Sequence, residues 1–219
     1  MKSKPRTYKG AGITVSYDAR RCIHAAECVR GVPEVFNPER RPWIEPDGAS
    51  PERVAAVVRA CPTGALRFEP GDSGETEAVA EKNTVTIVAD GPLYLRGDLV
   101  LTGADGEEVR EVRAALCRCG ASSNKPFCDN SHQKTGFADP GAAADPRLAP
   151  LQEEGARGVL RITGAINGPL LVEGPLELCG HSGESICTGR KGALCRCGAS
   201  ANKPFCDGSH VAIGFEAEG

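Results

Sequence analysis

Aromatic residues are scarce in this chain: they make up 5% of its 219 residues, with one Trp and one Met. Such a composition offers little material for one large core and points instead to small domains held by metals or disulfides. Positive charge is not in surplus either, since 26 Lys and Arg face 29 Asp and Glu for a formal net charge of -3. That excludes the basic footprint of a nucleic-acid binder. No apolar run approaches the roughly 18 residues of a membrane span. The opening stretch MKSKPRTYKG is basic but lacks the apolar segment of a secretory leader. The expectation is a cytoplasmic protein with no nucleic-acid or membrane partner. A phosphate loop, a Ser/His/Asp constellation and paired carboxylates at informative spacing are all missing, so no enzymatic turnover is expected.

Cysteine is plentiful. The chain has eleven, an odd number that cannot all pair within one chain. In a reducing compartment, clustered cysteines signify metal more often than disulfides.

A repeat organises the second half. Residues 117–132 read CRCGASSNKPFCDNSH and residues 195–210 read CRCGASANKPFCDGSH, identical at fourteen of sixteen positions. Gly91-Pro92-Leu93 answers Gly168-Pro169-Leu170 upstream, and Gly136-Phe137 answers Gly214-Phe215 downstream. Before each motif, short apolar runs lie between Gly or Asp breakers: residues 84–88, 93–95 and 99–101, then 160–162, 170–172 and 176–178. These read as strands of a small sheet. Residues 68–82 and 138–155 read as linkers, with a helical turn over 77–82.

Each motif offers Cys-x-Cys and then Cys-x3-His: Cys117, Cys119, Cys128 and His132, and again Cys195, Cys197, Cys206 and His210. A helical turn would carry Cys128 and His132 on one face. An extended segment would point Cys117 and Cys119 the same way. Two donor pairs then converge. Three thiolates and an imidazole suit a structural zinc ion, whereas separate pairs suit a two-iron cluster with one pair per iron. Arg118, Lys125, Arg196 and Lys203 sit beside the ligands, either offsetting site charge, facing an acidic partner, or simply solvated.

The N-terminal seventy residues differ. Residues 13–17 and 65–68 read as strands and 25–30 as a short helix. Ser50-Pro51-Glu52 opens a second helix with Ser as cap and Pro at its first position, followed by Val54, Val57 and Val58 on one face. Cys61-Pro62 ends it, giving a β-α-α-β plan. Trp43 is expected to pack this domain. Cys22 and Cys28, with five residues between them, are joined at a distance by Cys61. Cys179 and Cys187 occur only in the second repeat and read as packing residues on neighbouring strands; His181 reads as a turn residue.

The pattern C-x-C-x2-S-x3-P-x-C-D-[GN]-S-H, present twice, resembles the signature of the CDGSH iron–sulfur domain family, the mitoNEET type. The resemblance implies a [2Fe-2S] cluster on Cys117, Cys119, Cys128 and His132 and another on Cys195, Cys197, Cys206 and His210. Asn130 stands where the family usually has Gly, and Asn tolerates a left-handed backbone better than most residues. Single-motif members form intertwined dimers, so a tandem chain is expected to be a monomer whose repeats form a pseudo-two-fold pair sharing a β-rich cap. Exchanging one thiolate for a neutral imidazole removes a negative charge from the site and makes an electron easier to add, as in Rieske centres. The stretch CIHAAECVRGVPEVFNPERRPWI…CPTGAL resembles divergent single-cluster ferredoxins. It implies that Cys22, Cys28 and Cys61 hold a [3Fe-4S] cluster, or a [4Fe-4S] cluster with water or His24 as a further ligand, because Ala25 stands at the middle Cys position. The expected plan is thus α+β: a ferredoxin-like domain over residues 1–72, then CDGSH repeats over 83–140 and 156–219. Electron transfer with a redox partner protein is the expected role, and delivery of clusters to an apo iron–sulfur acceptor, or redox and pH sensing, is the alternative.

Overall fold

A computed structural model of the chain describes residues 4–71, 74, 76–151 and 155–219. Residues 1–3 of the basic opening stretch, residues 72, 73 and 75 of the first linker reading and 152–154 of the second lie outside the described residues. The chain divides into two compact units, Met1–Ala78 and Val79–Gly219.

The first unit is a three-stranded antiparallel sheet with two helices. Strand β2 (Ile13–Tyr17) is central, between β1 (Arg6–Lys9) and β3 (Leu66–Pro70). Alternation buries Ile13 and Val15. Between β2 and β3 the chain forms the short helix α1 (Glu27–Gly31) and then α2 (Pro51–Ala60). The expected cap is present: Ser50 Oγ accepts a hydrogen bond from the Arg53 N–H, and Pro51 occupies the first turn. Val54, Ala55 and Val58 form the buried stripe and join Val32, Val35, Phe36 and Ile44 in one core. Trp43 meets Tyr17 edge-on, with ring centroids 4.8 Å apart. The plan is therefore β-β-α-α-β, because the charged strand β1 adds an edge that its sequence RTYK does not advertise. Residues 77–82 form no helical turn.

In the second unit each repeat supplies a short strand and two long ones. The first gives β4 (Thr84–Ile87), β5 (Leu93–Thr102) and β6 (Glu108–Leu116); the second gives β7 (Leu160–Gly164), β8 (Leu170–Cys179) and β9 (Ser185–Leu194). The short runs read as separate strands over 93–95 and 99–101 are one bulged strand, as are those over 170–172 and 176–178. The pairings are reciprocal. Strand β4 lies antiparallel to β5 along Leu93–Arg96 and parallel to β8. Strand β7 lies parallel to β5 along Leu99–Thr102 and antiparallel to β8. The middle row of the sheet is thus split, with β4 and β7 running outward from a common seam and β6 and β9 at the outer edges. Asn83, 6% exposed, sits at that seam. Its Nδ2 donates to Gly158 O (2.7 Å) and Pro175 O (2.8 Å), and its Oδ1 accepts from the Asp98 N–H. Residues of both repeats, from Val85 and Leu95 to Leu178 and Phe205, form one apolar core. The 138–155 stretch is partly built into this unit, since Ala149 exchanges backbone hydrogen bonds with Arg190 and Lys191.

Candidate metal centres

The two motifs begin where β6 and β9 end. Cys117 N–H donates to Pro126 O and Cys128 N–H to Ala115 O, at 2.8 and 2.9 Å, so the strand end pairs with the returning chain and brings Cys117 beside Cys128. In the second repeat Cys195 and Cys206 N–H groups donate likewise to Pro204 O and Ala193 O. The intervening loop is shaped by one hydroxyl. Ser122 Oγ donates to Phe127 O and accepts from Asn124 N–H; Ser200 does the same with Phe205 and Asn202.

A carboxylate closes each loop. Asp129 accepts from the Ser123 N–H and Oγ and from the Ser131 N–H. Asp207 accepts from the Ala201 and Ser209 N–H groups and from Ser209 Oγ. Burial opposes ionisation of Asp129, but the hydrogen bonds from Ser131 and Ser123 outweigh it and hold the carboxyl well below the usual range. At Asp207 the bonds from Ser209 and Ala201 do the same. The Cys–His pair is not presented on a helical turn: α3 (His132–Thr135) starts at the imidazole, and α4 spans Ser209–Ala212. The bend between Cys and His is a left-handed residue, Asn130 at φ 73° and Gly208 at φ 91°. Asn130 takes the conformation that glycine takes in its twin.

The donors come as pairs. Cys117 Sγ and Cys119 Sγ are 3.8 Å apart and Cys195 Sγ and Cys197 Sγ 3.7 Å. Cys128 Sγ lies 3.5 Å from His132 Nδ1, and Cys206 Sγ 3.4 Å from His210 Nδ1. Two thiolates on one tetrahedral metal with bonds near 2.3 Å stand about 3.8 Å apart, and a thiolate and an imidazole about 3.5 Å. Each pair therefore has the spacing of two ligands on one metal atom. Among the described residues no three His, Cys, Asp or Glu side chains are grouped as a single metal ion requires.

The electrostatics favour a thiolate at Cys117 and protonated thiols at Cys119 and Cys128. The Cys117 thiol is pushed down to about 6 by a hydrogen bond with Cys119 and, against burial, by the Ser122, Gly120 and Cys119 N–H groups. The proton shared by that pair raises Cys119. Burial pushes Cys128 up to about 11, with the Asn130 N–H opposing. Cys119 and Cys128, both raised, hold their protons at neutral pH, and metal binding would release them.

The arginines between the ligands are not solvated. In an extended Cys-Arg-Cys segment the middle side chain points away from its neighbours, and Arg118 and Arg196 are each 1% exposed. Arg118 donates to Gly91 O and Val88 O and pairs with the Asp139 carboxylate. Arg196 donates to Gly168 O, Ala165 O and Glu218 O, with no carboxylate partner among the described residues. Lys125 and Lys203 turn their ammonium groups onto Ser122 O and Ser200 O. The sequence reading missed Asp139 because it fell in a stretch read as linker, and its only signal was that Ala217 stands at the matching place.

In the first unit Cys22, Cys28 and Cys61 line one recess with Tyr17, Ala25, Ala26 and Trp43. His24 is exposed and does not line it. The loop that spans Cys22 and Cys28 wraps tightly, with His24 at φ 58° and Ala26 at φ 64°. Burial, against the Val29 N–H, pushes Cys28 up to about 11, and the neighbouring thiols add to the rise. Burial also raises Tyr17, whose hydroxyl hydrogen-bonds with Cys22. The three N-terminal cysteines are thus brought together. Cys179 and Cys187 lie on the adjacent strands β8 and β9, outside both centres. His181 holds a turn, its Nδ1 accepting from the Ala89 N–H.

Comparison with known proteins agrees with this division. The family described as "Iron-binding zinc finger CDGSH type" matches residues 90–133 and 167–211, and that described as "Divergent 4Fe-4S mono-cluster" matches residues 8–69. The proteins of Escherichia coli (strain K12) and Escherichia coli O157:H7 that are each named "Uncharacterized protein YjdI" are 41% identical over 63 residues, 29% of this chain and 83% of each relative. That similarity lies in the N-terminal domain. No solved structure matches the chain.

Proposed function

Because the chain belongs to the CDGSH iron-binding family through its two repeats and to the divergent mono-cluster family through its N-terminal domain, we propose that it is an iron–sulfur electron carrier. In this reading Cys117, Cys119, Cys128 and His132 hold one [2Fe-2S] cluster, and Cys195, Cys197, Cys206 and His210 a second. The observation that carries it is the pairing of donors at 3.8 and 3.5 Å in one repeat and 3.7 and 3.4 Å in the other, which supports one metal atom per pair. Cys22, Cys28 and Cys61 hold a third cluster, [3Fe-4S] or [4Fe-4S]. Ala25 lines the recess where a further thiolate would stand, which supports a three-thiolate centre.

Each cluster, when bound, supplies a site that takes up and gives back one electron. The chain's own residues set the conditions. The N–H groups of Ser122, Gly120 and Asn130 direct positive ends at the sulfurs, and Asp129 and Asp207 fix the loops. The reciprocal strand pairings support a pseudo-two-fold monomer in which the repeats complete one another. Among the described residues no helix is long and apolar enough to cross a membrane. We read the protein as cytoplasmic, with a redox protein as partner and no turnover of a small substrate.

Anaerobic purification without reconstitution, followed by iron and sulfide analysis with absorption and paramagnetic resonance spectra, tests this. The expected result is sulfide with iron and the signals of two His-ligated [2Fe-2S] centres plus a third. Stoichiometric zinc in a colourless protein overturns it. A second reading, cluster delivery to an apo-acceptor, is favoured by the half-buried position of His210. Its test is His210→Cys, which slows release of that cluster if the imidazole is the point of departure.

A further inference from the structure

Two motifs that share fourteen of sixteen residues have unlike surroundings. In the first repeat Cys128 and His132 are buried, at 2% and 8% exposure; in the second Cys206 and His210 are only half-buried. Behind His132 the chain reads Gln133-Lys134-Thr135, and behind His210 it reads Val211-Ala212-Ile213. Val211 is 76% exposed and Ile213 53%. Scattered single apolar residues on a surface need no explanation. Here two stand on one short helix and its end, next to the more open of two otherwise matching sites, where the twin has polar residues.

Charge differs in the same way. Residues 204–219 contain Asp207, Glu216 and Glu218, all exposed, and no Lys or Arg. In the matching stretch 126–141, Asp129 is offset by Lys134, and Asp139 is paired with Arg118. The chain that follows Cys206 therefore carries exposed apolar and acidic side chains, with the Lys125 ammonium of the first repeat over the Phe215 ring as a basic group beside them, while the chain that follows Cys128 carries polar side chains of balanced charge. An apolar centre with a charged rim is the anatomy of a protein contact surface. One sign of charge at the rim steers a partner of the opposite sign. The patch is small, which suits a brief encounter rather than a stable complex.

We propose that Val211 and Ile213, with the carboxylates of Asp207, Glu216 and Glu218, form the docking surface for a redox protein whose contact face is apolar at its centre and basic at its rim. The second repeat is then the face the protein turns to its partner, and the first is not. This rests on the electron-carrier reading.

The test measures binding, by calorimetry and by chemical-shift perturbation, of the full metal-loaded chain to ferricytochrome c, a basic protein with an exposed apolar haem edge. Binding to the wild type is expected to weaken with added salt. The double variant Val211→Gln/Ile213→Thr, which copies the first repeat, is expected to weaken it about tenfold or more. The reciprocal Gln133→Val/Thr135→Ile variant leaves it unchanged, and Val211→Ile/Ile213→Val retains it. Equal binding by wild type and the first variant overturns the proposal, as does equal binding of lysozyme, which is basic but carries no redox centre. A wild-type dimer in sedimentation that the first variant dissolves also overturns it, by making a second copy the occupant. Iron and sulfide measured on the same samples separate the two claims. A colourless, sulfide-free protein sinks the electron-carrier reading, whereas normal spectra with unaltered binding sink the docking surface alone.

Discussion

Cys119 and Cys197 face each other across an antiparallel bridge that joins the two motifs. Each is backed by a glycine of the other repeat. A Cβ on Gly120 (φ 83°) would lie 2.5 Å from Cys197 O, and one on Gly198 (φ 85°) 2.6 Å from Cys119 O. The obstacle is backbone, so it cannot turn aside. Gly120→Ala is therefore expected to disturb the second centre as well as its own, at a cost of about 2–5 kcal/mol from strain and overpacking together. Gly106→Ala is the control. Its backbone is also left-handed, at φ 77°, but nothing lies within 4 Å. Iron content and thermal unfolding of both variants check this; equal behaviour would show that the bridge does not couple the centres.

The Arg118–Asp139 pair is almost wholly buried, with side chains 0% and 8% exposed. Asp139→Ala leaves a guanidinium in the core with two carbonyl partners and no counter-charge. Removing one partner of such a pair costs on the order of 3 kcal/mol, or a fall in Tm of roughly 6–12 °C for a unit of this size. Circular dichroism melting of the loaded protein measures it. A change below about 2 °C would mean that Arg118, like Arg196, manages with carbonyl oxygens alone.

Ala25 offers a different handle. It lines the recess of Cys22, Cys28 and Cys61, so Ala25→Cys should add a fourth thiolate. The expected outcome is a more oxygen-resistant [4Fe-4S] centre, read as loss of any [3Fe-4S] resonance and retention of iron in air. An unchanged spectrum would show that Ala25 is turned from the cluster.

Acid should distinguish the two repeats. Burial first, then the Arg118 charge, hold the His132 imidazole below its ordinary pKa, with Asp129 opposing. A lowered folded-state pKa means that the neutral ring's contribution is complete above the ordinary value, about 6.5, and is lost only as pH falls through the lower folded value. The first centre should thus keep its iron to a lower pH than a solvent-exposed imidazole would permit, and because Cys206 and His210 lie more open to water than Cys128 and His132, acid titration should release iron in two steps, the more accessible second centre first. The Asp129 and Asp207 clamps stay ionised through this range, since both carboxyls are depressed. A single step, or one unaffected by His210→Cys, would refute the order.

Much of this was legible in the residues, and the exceptions have physical causes. Alternation in ITVSY and the Ser50-Pro51 cap give β2 and α2 directly. Strand β6 escaped notice because EVREVRAAL shows its outer, charged face for half its length, and β9 because SICTGRKGAL contains two glycines and a basic pair. The ligands were visible because spacing carries the signal. The burial of Arg118 and Arg196 was also implicit in the Cys-Arg-Cys alternation, but their partners were not: carbonyl oxygens leave no mark in a sequence. The surroundings that separate the two centres depend on tertiary placement, with only Val211, Ile213 and Asp139 as signs.

The split middle row of the large sheet also governs how the chain comes into being. Until residues 160–163 leave the ribosome, the Leu99–Thr102 edge has nothing to lie against, and Thr84–Thr86 waits still longer for Glu177–Cys179. Pairings so distant along the chain close late. A nascent or truncated first repeat is thus a sticky half-sheet, prone to borrow the missing strand from another molecule.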